Sequence, residues 1–191
     1  MPTIYDVINI LPFEPHNWFG NATPLSEIFK ATQIKTVIEV GSWFGGSTRW
    51  FAKQLPEDGY VIAVDTWKGS VEHQPGANCH HQKLDQLYQQ FLSNCVHEKI
   101  DHKIIPVRMD SLEAASAVKI QPDLFYLDAA HDEESVYKDL QAWGPKLKNT
   151  TIICGDDYNW PGVQAAVNQY AQENGFNVAY IGAFWIFMKA T

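Results

Sequence analysis

The sequence is short of charge, and of positive charge above all. Charged residues make up 19% of the 191 residues, against roughly 25% in an average globular chain. Lysine and arginine number 14 against 22 aspartates and glutamates, which leaves a net charge of −8. No run of basic residues occurs. A surface of this sign repels phosphate backbones and anionic lipid headgroups, so no nucleic-acid partner and no membrane partner is expected. No apolar stretch approaches the roughly 20 residues that cross a bilayer. The start, Met1-Pro2-Thr3-Ile4-Tyr5-Asp6, lacks the basic region of a secretory signal. Cysteine is scarce as well. Cys79, Cys95 and Cys154 are an odd set without C-x-x-C spacing, which gives neither a disulfide framework nor a clear zinc site. Cys79-His80-His81 lacks a second Cys/His pair at fitting distance and reads as the start of a helix. Repeats, low-complexity tracts and long linkers are missing too. Together these absences predict a soluble, cytoplasmic protein with one domain over residues 1–191.

What the chain has in excess is aromatic rings, 13% of its residues with seven tryptophans among them. Rings of that size go into a core, a ligand pocket or a subunit interface. The last of these leaves a homo-oligomer open.

Strand and helix signals alternate along the chain. Thr36–Val40 is a β-branched run ending at Gly41, a buried strand. A glycine-bearing turn follows, then a helix with Phe44, Thr48, Phe51 and Leu55 on one face, ended by Pro56 and Gly59. Tyr60–Val64 is a second strand that runs into Asp65. The segment 66–102 is long for a crossover. Its second half reads as a helix through Leu84, Leu87, Tyr88, Phe91, Leu92 and Cys95, and its first half as a loop that could cover a substrate. Ile104–Val107 is a third strand, and Pro106 favours an edge position. Leu124–Leu127 and Thr151–Cys154 are the fourth and fifth. Val136, Leu140 and Trp143 mark a helix between them, and Pro161 opens another that Gly175 can cap. Phe176–Met188 reads as a hairpin turning at Gly182-Ala183, and residues 1–33 as a helical N-terminal segment. The fold expected is α/β, a Rossmann-like doubly wound sandwich around a mostly parallel sheet.

In such folds ligands bind beyond the carboxyl ends of the strands. Asp65, Asp110, Asp128, Asp156 and Asp157 all fall at or just after strand ends, so they should share one rim. The first loop, Glu39-Val40-Gly41-Ser42-Trp43-Phe44-Gly45-Gly46-Ser47, lets backbone approach a ligand and opens a helix whose free N–H groups suit a carboxylate. Its glycines are spaced G-x-x-x-G-G rather than G-x-G-x-x-G, which argues against a nicotinamide dehydrogenase. Asp65, 24 residues after Gly41, suits ribose hydroxyls, or else a turn. If the fourth and fifth strands are neighbours, Asp128, Asp156 and Asp157 crowd together, and a hard divalent cation such as Mg²⁺ relieves their repulsion. The alternative makes these aspartates helix caps. His131, three residues past Asp128, hangs over the same rim, as a general base or as a structural hydrogen-bonding group. Trp67 and Trp160 fall in rim loops and are the tryptophans expected at a pocket.

Val37-Ile38-Glu39-Val40-Gly41 through Gly45-Gly46-Ser47, then Val64-Asp65-Thr66-Trp67-Lys68-Gly69, resembles a class I S-adenosylmethionine (SAM)-dependent methyltransferase. Leu127-Asp128-Ala129-Ala130-His131, Asp156-Asp157-Tyr158 and Trp160-Pro161-Gly162-Val163 resemble the small metal-dependent O-methyltransferases related to macrolide-sugar and cephalosporin-biosynthesis enzymes. The likeness covers about residues 34–189. It implies seven strands with the last antiparallel. It also implies SAM held by Glu39, Gly41, Ser47, Asp65, Asp110, Ser111 and Asp128, and Mg²⁺ held by Asp128, Asp156 and Asp157. His131 would be the base, and the acceptor a hydroxyl of a small molecule. Catechol-type relatives usually carry Asp-Asn where Asp156-Asp157 stands. A SAM-binding protein that acts through a partner without turnover is the other reading. The acceptor is expected to be selected by Trp18-Phe19 and by the loop from Trp67 to His81.

Overall fold

Hydrophobic residues on the strands alternate in the direction they face, and this builds two cores on either side of one sheet. In the computed structural model, which describes residues 3–16, 18–76 and 83–189, the strands are β1 (Thr36–Val40), β2 (Tyr60–Asp65), β3 (Ile104–Arg108), β4 (Leu124–Leu127), β5 (Ile152–Gly155), β6 (Phe176–Ile181) and β7 (Phe184–Lys189). They form one sheet in the order β3-β2-β1-β4-β5-β7-β6. The first five are parallel, and β7 runs antiparallel to both β5 and β6. The seven strands, the C-terminal hairpin and the edge position of β3 with its Pro106 agree with the sequence reading.

The helices are α1 (Ala22–Ala31), α2 (Gly46–Gln54), α3 (Leu87–His97), α4 (Ser111–Ala117), α5 (Glu133–Trp143) and α6 (Pro161–Asn174). Val37, Val61, Leu124 and Tyr126 face one core with Leu25 of α1, Phe51 of α2 and Phe91 of α3. Ile38, Ile62, Phe125 and Leu127 face the other, with Val136 and Trp143 of α5 and Val167 of α6. Burying a side chain of this size is worth about 1.5–3 kcal/mol, so the doubly wound sandwich follows from the two-residue period of the strands. Gly175 ends α6 in the left-handed conformation, with φ 70°, as its sequence position suggested.

Among the described residues of 1–33, the helical ones are α1 and a single 3-10 turn at Ile4–Asp6. Between them, residues 9–14 form a strap laid along α3. It is held by side chains that reach for backbone: Gln89 Nε2 donates to Asn9 O, Gln90 Nε2 to Pro12 O and Asn94 Nδ2 to Glu14 O, while Ser93 Oγ accepts from Leu11 N. In the segment 66–102, the second half forms α3 and packs into the first core, and residues 77–82 lie outside the described ones.

Candidate functional site

Strand order reverses between β1 and β4, the switch point of the sheet, and the loops that leave these two strands part to opposite faces. A cavity of about 830 Å³ opens there, within the range of ligand pockets. It gathers Gly41, Ser42, Ser47, Asp65, Asp110, Ser111, Asp128, His131, Asp156 and Asp157. The sequence-derived rim is thus a single site, with two exceptions in detail.

The first exception is Glu39, which lies under the first loop and does not line the cavity. It is fully buried. Its Oε2 accepts from Ser42 Oγ at 2.7 Å and from Thr48 Oγ1, tying the loop to the first turn of α2. Its Oε1 is buried without a hydrogen-bond partner among the described residues. Burial, against hydrogen bonds from Ser47, Thr48 and Ser42 and with some repulsion from Asp65, pushes its pKa up to about 7. The second exception is Trp67. It is buried, packs on Tyr88 and Phe91, and donates from Nε1 to Trp43 O at 2.9 Å. Trp18, Trp43 and Trp160 are the tryptophans that line the cavity.

The first loop needs glycine where β1 ends. Gly41 has φ 93°, and a Cβ there would collide with the carbonyl of Asp128. The two loops of the switch point therefore touch backbone to backbone, joined by Asp128 N donating to Val40 O at 2.9 Å. Asp65 organises this loop from the side. Its Oδ2 accepts from the backbone N–H groups of Ser42 and Trp43 at 2.9 and 2.8 Å, and its Oδ1 from Trp67 N at 2.6 Å. Burial raises its pKa against the pull of those donors. Both the turn role and a position on the cavity wall belong to Asp65.

Asp110 caps α4, accepting from Leu112 N at 2.9 Å. Ser111 Oγ accepts from Trp143 Nε1 at 3.0 Å. Asp139 of α5 also lines this end of the cavity and is buried. Burial pushes its pKa up to about 6, against a hydrogen bond from Ser111. The sequence reading missed Asp139 because it sits mid-helix, where a carboxylate normally faces water; only its place on the apolar stripe with Val136, Leu140 and Trp143 marks it.

At the other end the three carboxylates of the rim gather as expected. Burial, then the charges of Asp156 and Asp157, hold the Asp128 pKa well above the usual carboxylate range. Burial and the charge of Asp157 also raise Asp156, against the hydrogen bond it accepts from the Asp157 backbone at 2.7 Å. None of the three caps a helix: Asp132 caps α5, accepting from Ser135 N at 2.9 Å, and α6 starts at Trp160 with no side-chain cap. Asp157 holds φ 60° and sends Oδ2 to His131 Nε2 at 2.8 Å. The His131 ring stacks on Trp160, with centroids 4.5 Å apart. Gly162 brings α6 against this loop, since a Cβ there would strike His131 O. Among the described residues no three His, Cys, Asp or Glu side chains are arranged to hold a metal ion. Cys79-His80-His81 lies outside those residues.

The mouth is aromatic. Trp18, on the strap, stacks on Trp43 with planes 4° apart, and Trp43 stacks on His73 at 4.3 Å. Trp18 and Phe19 line the cavity; the loop 67–81 contributes Gly69, Ser70 and His73 from its described part. No helix among the described residues is long and apolar enough to cross a membrane.

Comparison with known proteins agrees with this geometry. A family model described as a methyltransferase domain matches residues 38–158. An uncharacterized protein of Sinorhizobium fredii, y4gI, is 25% identical over 153 residues, covering 76% of this chain and 16% of that protein; the chain thus spans a small part of that relative's length. Among solved structures, a candidate O-methyltransferase from Klebsiella pneumoniae superposes with a TM-score of 0.70 at 18% identity, covering 94% of this chain and 84% of that one. An O-methyltransferase from Bacillus cereus, in complex with SAH (demethylated SAM), gives 0.63 at 18% identity over 92% and 83%. The O-methyltransferase TomG from Streptomyces achromogenes, involved in tomaymycin synthesis and in complex with SAM, gives 0.65 at 12% identity over 90% and 80%. At these identities the likeness is one of fold. It spreads over several O-methyltransferases and does not single out the macrolide-sugar or cephalosporin enzymes.

Proposed function

Because this chain belongs to the methyltransferase-domain family, we propose that it transfers the methyl group of SAM to a hydroxyl of a small molecule. The observation that carries this reading is the single cavity at the switch point, which puts the glycine loop, Asp65, Asp110 and Ser111 at one end and Asp128, His131, Asp156 and Asp157 at the other. The residues fit SAM in kind. The N-terminus of α2 at Gly46 and Ser47 offers N–H groups to its carboxylate. Asp65 takes the ribose hydroxyls, and Asp110 and Ser111 border the adenine. Asp128 faces the sulfonium end, and Glu39 acts through the loop it ties together.

In the transfer, the acceptor oxygen forms a bond to the methyl carbon while the carbon–sulfur bond breaks and its electron pair returns to sulfur, leaving SAH. The hydroxyl proton goes to His131. Asp157, on His131 Nε2, orients that ring and stabilises it once protonated. Alignment supplies most of the acceleration, up to about 7–11 kcal/mol in the best cases. A divalent cation such as Mg²⁺ belongs to the same proposal. Three mutually repelling carboxylates suit a hard ion, and Asp128, Asp156 and Asp157 would hold it. When bound it would stabilise the acceptor's alkoxide as a Lewis acid.

Calorimetric titration of the protein with SAM and with SAH tests the reading, together with transfer of a labelled methyl group to hydroxylated small molecules. Binding of both and labelled product are expected. Failure to bind either defeats the proposal.

A further inference from the structure

We infer that Asp139 makes this chain selective for the exocyclic amino group of the cofactor's adenine, by fixing the neighbouring Ser111 hydroxyl as a hydrogen-bond acceptor. This rests on the proposed methyl-transfer reading, which puts Ser111 beside the adenine, and it assigns a specificity-determining residue within that site.

Three observations carry it. The first is where Asp139 stands. It lies in the middle of α5, is only 6% exposed, and lines the cavity together with Asp110 and Ser111. A carboxylate taken out of water is costly unless hydrogen bonds or a cation meet it. Lys138 is the one lysine or arginine among the described lining residues, and its Nζ is paired with Glu134 at 2.6 Å. Helical spacing puts Trp143 one turn beyond Asp139 on the same face of α5. Both side chains therefore meet α4 at its first residue, Ser111.

The second observation is the direction of the hydrogen bonds there. Trp143 Nε1 donates to Ser111 Oγ at 3.0 Å, and an indole nitrogen can only donate. Ser111 in turn donates its hydroxyl to the Asp139 carboxylate, which when ionised can only accept. The relay thus runs one way, from Trp143 through Ser111 to Asp139. It uses the one proton that Ser111 has and leaves a lone pair on Oγ to meet a ligand.

The third is that donors beside this relay are already engaged. Leu112 N donates to Asp110 Oδ1 at 2.9 Å. Ser135 gives its N–H, at 2.9 Å, and its hydroxyl to Asp132. The side chains at this end of the cavity therefore present acceptors. An edge of acceptors binds an amino group, repels a carbonyl oxygen and gains no hydrogen bond from a ring C–H. Adenine carries the amino group; hypoxanthine has an oxygen in its place, and unsubstituted purine a hydrogen.

The test is calorimetric titration of the full chain with SAH and with two counterparts that differ only in the base, one built on purine and one on hypoxanthine. It is run at about pH 8, where a carboxyl with its pKa pushed up to about 6 is ionised. The wild type should bind each counterpart about tenfold or more weakly than SAH, as a site built around an N–H donor rejects a ligand without it. Asp139→Ala should lose about tenfold in affinity for SAH and hold the purine counterpart within about twofold, because that ligand lacks the group being read. Asp139→Asn keeps the size of the side chain but donates an amide N–H to Ser111, which turns the Ser111 proton toward the base. It should narrow the preference for SAH over the hypoxanthine counterpart by about tenfold, and it decides if the alanine variant fails to fold. Equal binding of SAH and either counterpart by the wild type, an equal loss for all three ligands in Asp139→Ala, or an Asp139→Asn variant with the wild-type preference overturns the inference. A chain that binds none of the three defeats the methyl-transfer reading itself, whereas one that binds SAH without regard to its base defeats only this narrower claim.

Discussion

His131 and Asp157 meet through Nε2 and Oδ2 at 2.8 Å, across the loops that follow β4 and β5. A histidine held by a carboxylate on one nitrogen is oriented to work with the other. Replacing His131 with alanine should lower the rate of methyl transfer by about 10²–10⁴-fold, the usual reach of general-base catalysis, with SAM affinity within a few-fold of wild type. Steady-state kinetics beside SAM calorimetry checks this. An unchanged rate removes His131 as the base.

The carboxylate rim makes a second demand. Burial, then the charges of Asp156 and Asp157, hold the Asp128 pKa well above the usual carboxylate range, and a cation would relieve that repulsion: a chelator should suppress turnover, and Mg²⁺ should restore it. Asp156→Asn combined with Asp157→Asn should abolish transfer while SAM still binds. Full activity of that double variant, or full activity in EDTA, ends the metal assignment.

Gly41→Ala should be among the most damaging single changes in the chain. It adds a Cβ against the Asp128 carbonyl at a backbone with φ 93°, combining left-handed strain with overpacking, together about 3 kcal/mol or more. Gly20→Ala meets nothing within 4 Å and should fall within about 0.5 kcal/mol of wild type. Denaturant melts of the two variants make the comparison; equal stability would mean that the β1 and β4 loops do not touch as described.

Glu39 gives a dependence on pH. Its folded pKa of about 7 lies above the ordinary 4.5, so folding favours the protonated carboxyl. That contribution is complete below about pH 4.5, where both states hold the proton. It is lost as pH rises from there through about 7, by up to about 3 kcal/mol. Glu39→Gln cannot ionise, so its stability relative to wild type should climb across that window and level off above it. Urea melts at several pH values measure the difference, and a flat difference refutes the buried carboxyl.

Asn94 links the strap to the first loop. Its Nδ2 donates to Glu14 O at 2.8 Å and to Phe44 O at 3.0 Å, and its Oδ1 accepts from Glu14 N. Arg49 supports it by donating to Gly45 O and Pro15 O. Asn94→Ala leaves these buried groups unmet and should cost about 3 kcal/mol of stability, with SAM affinity down about tenfold because the loop loses its anchor. Loss of stability without loss of affinity would separate the strap from the cofactor loop.

The parts that were legible in the sequence are those fixed by periodicity and by strand ends. The runs at residues 36–40, 60–64, 124–127 and 151–154 read as strands, and their ends placed Asp65, Asp128 and Asp156 on one rim. What the sequence hid depends on which way a side chain turns in a loop. Trp67 and Trp160 look alike as rim tryptophans, yet Trp67 points into the core while Trp160 lines the cavity, and Trp43 of the first loop lines it too. The strap was equally silent, because Gln89, Gln90, Ser93 and Asn94 read as the solvated face of a helix and carry no signal of the backbone they bind. Glu39 shows the limit of motif matching: the residue is where the pattern puts it, but it supports the loop from beneath.

The division of the seven tryptophans makes the site self-reporting. Trp18, Trp43 and Trp160 line the cavity, while Trp67, Trp143 and Trp185 are sealed in the two cores and Trp50 packs against one of them. Intrinsic emission is therefore split into a constant interior background and a component that answers to whatever enters the cleft. Entry of cofactor and of acceptor can be followed optically in the native chain, without a dye, a tag or a coupled assay.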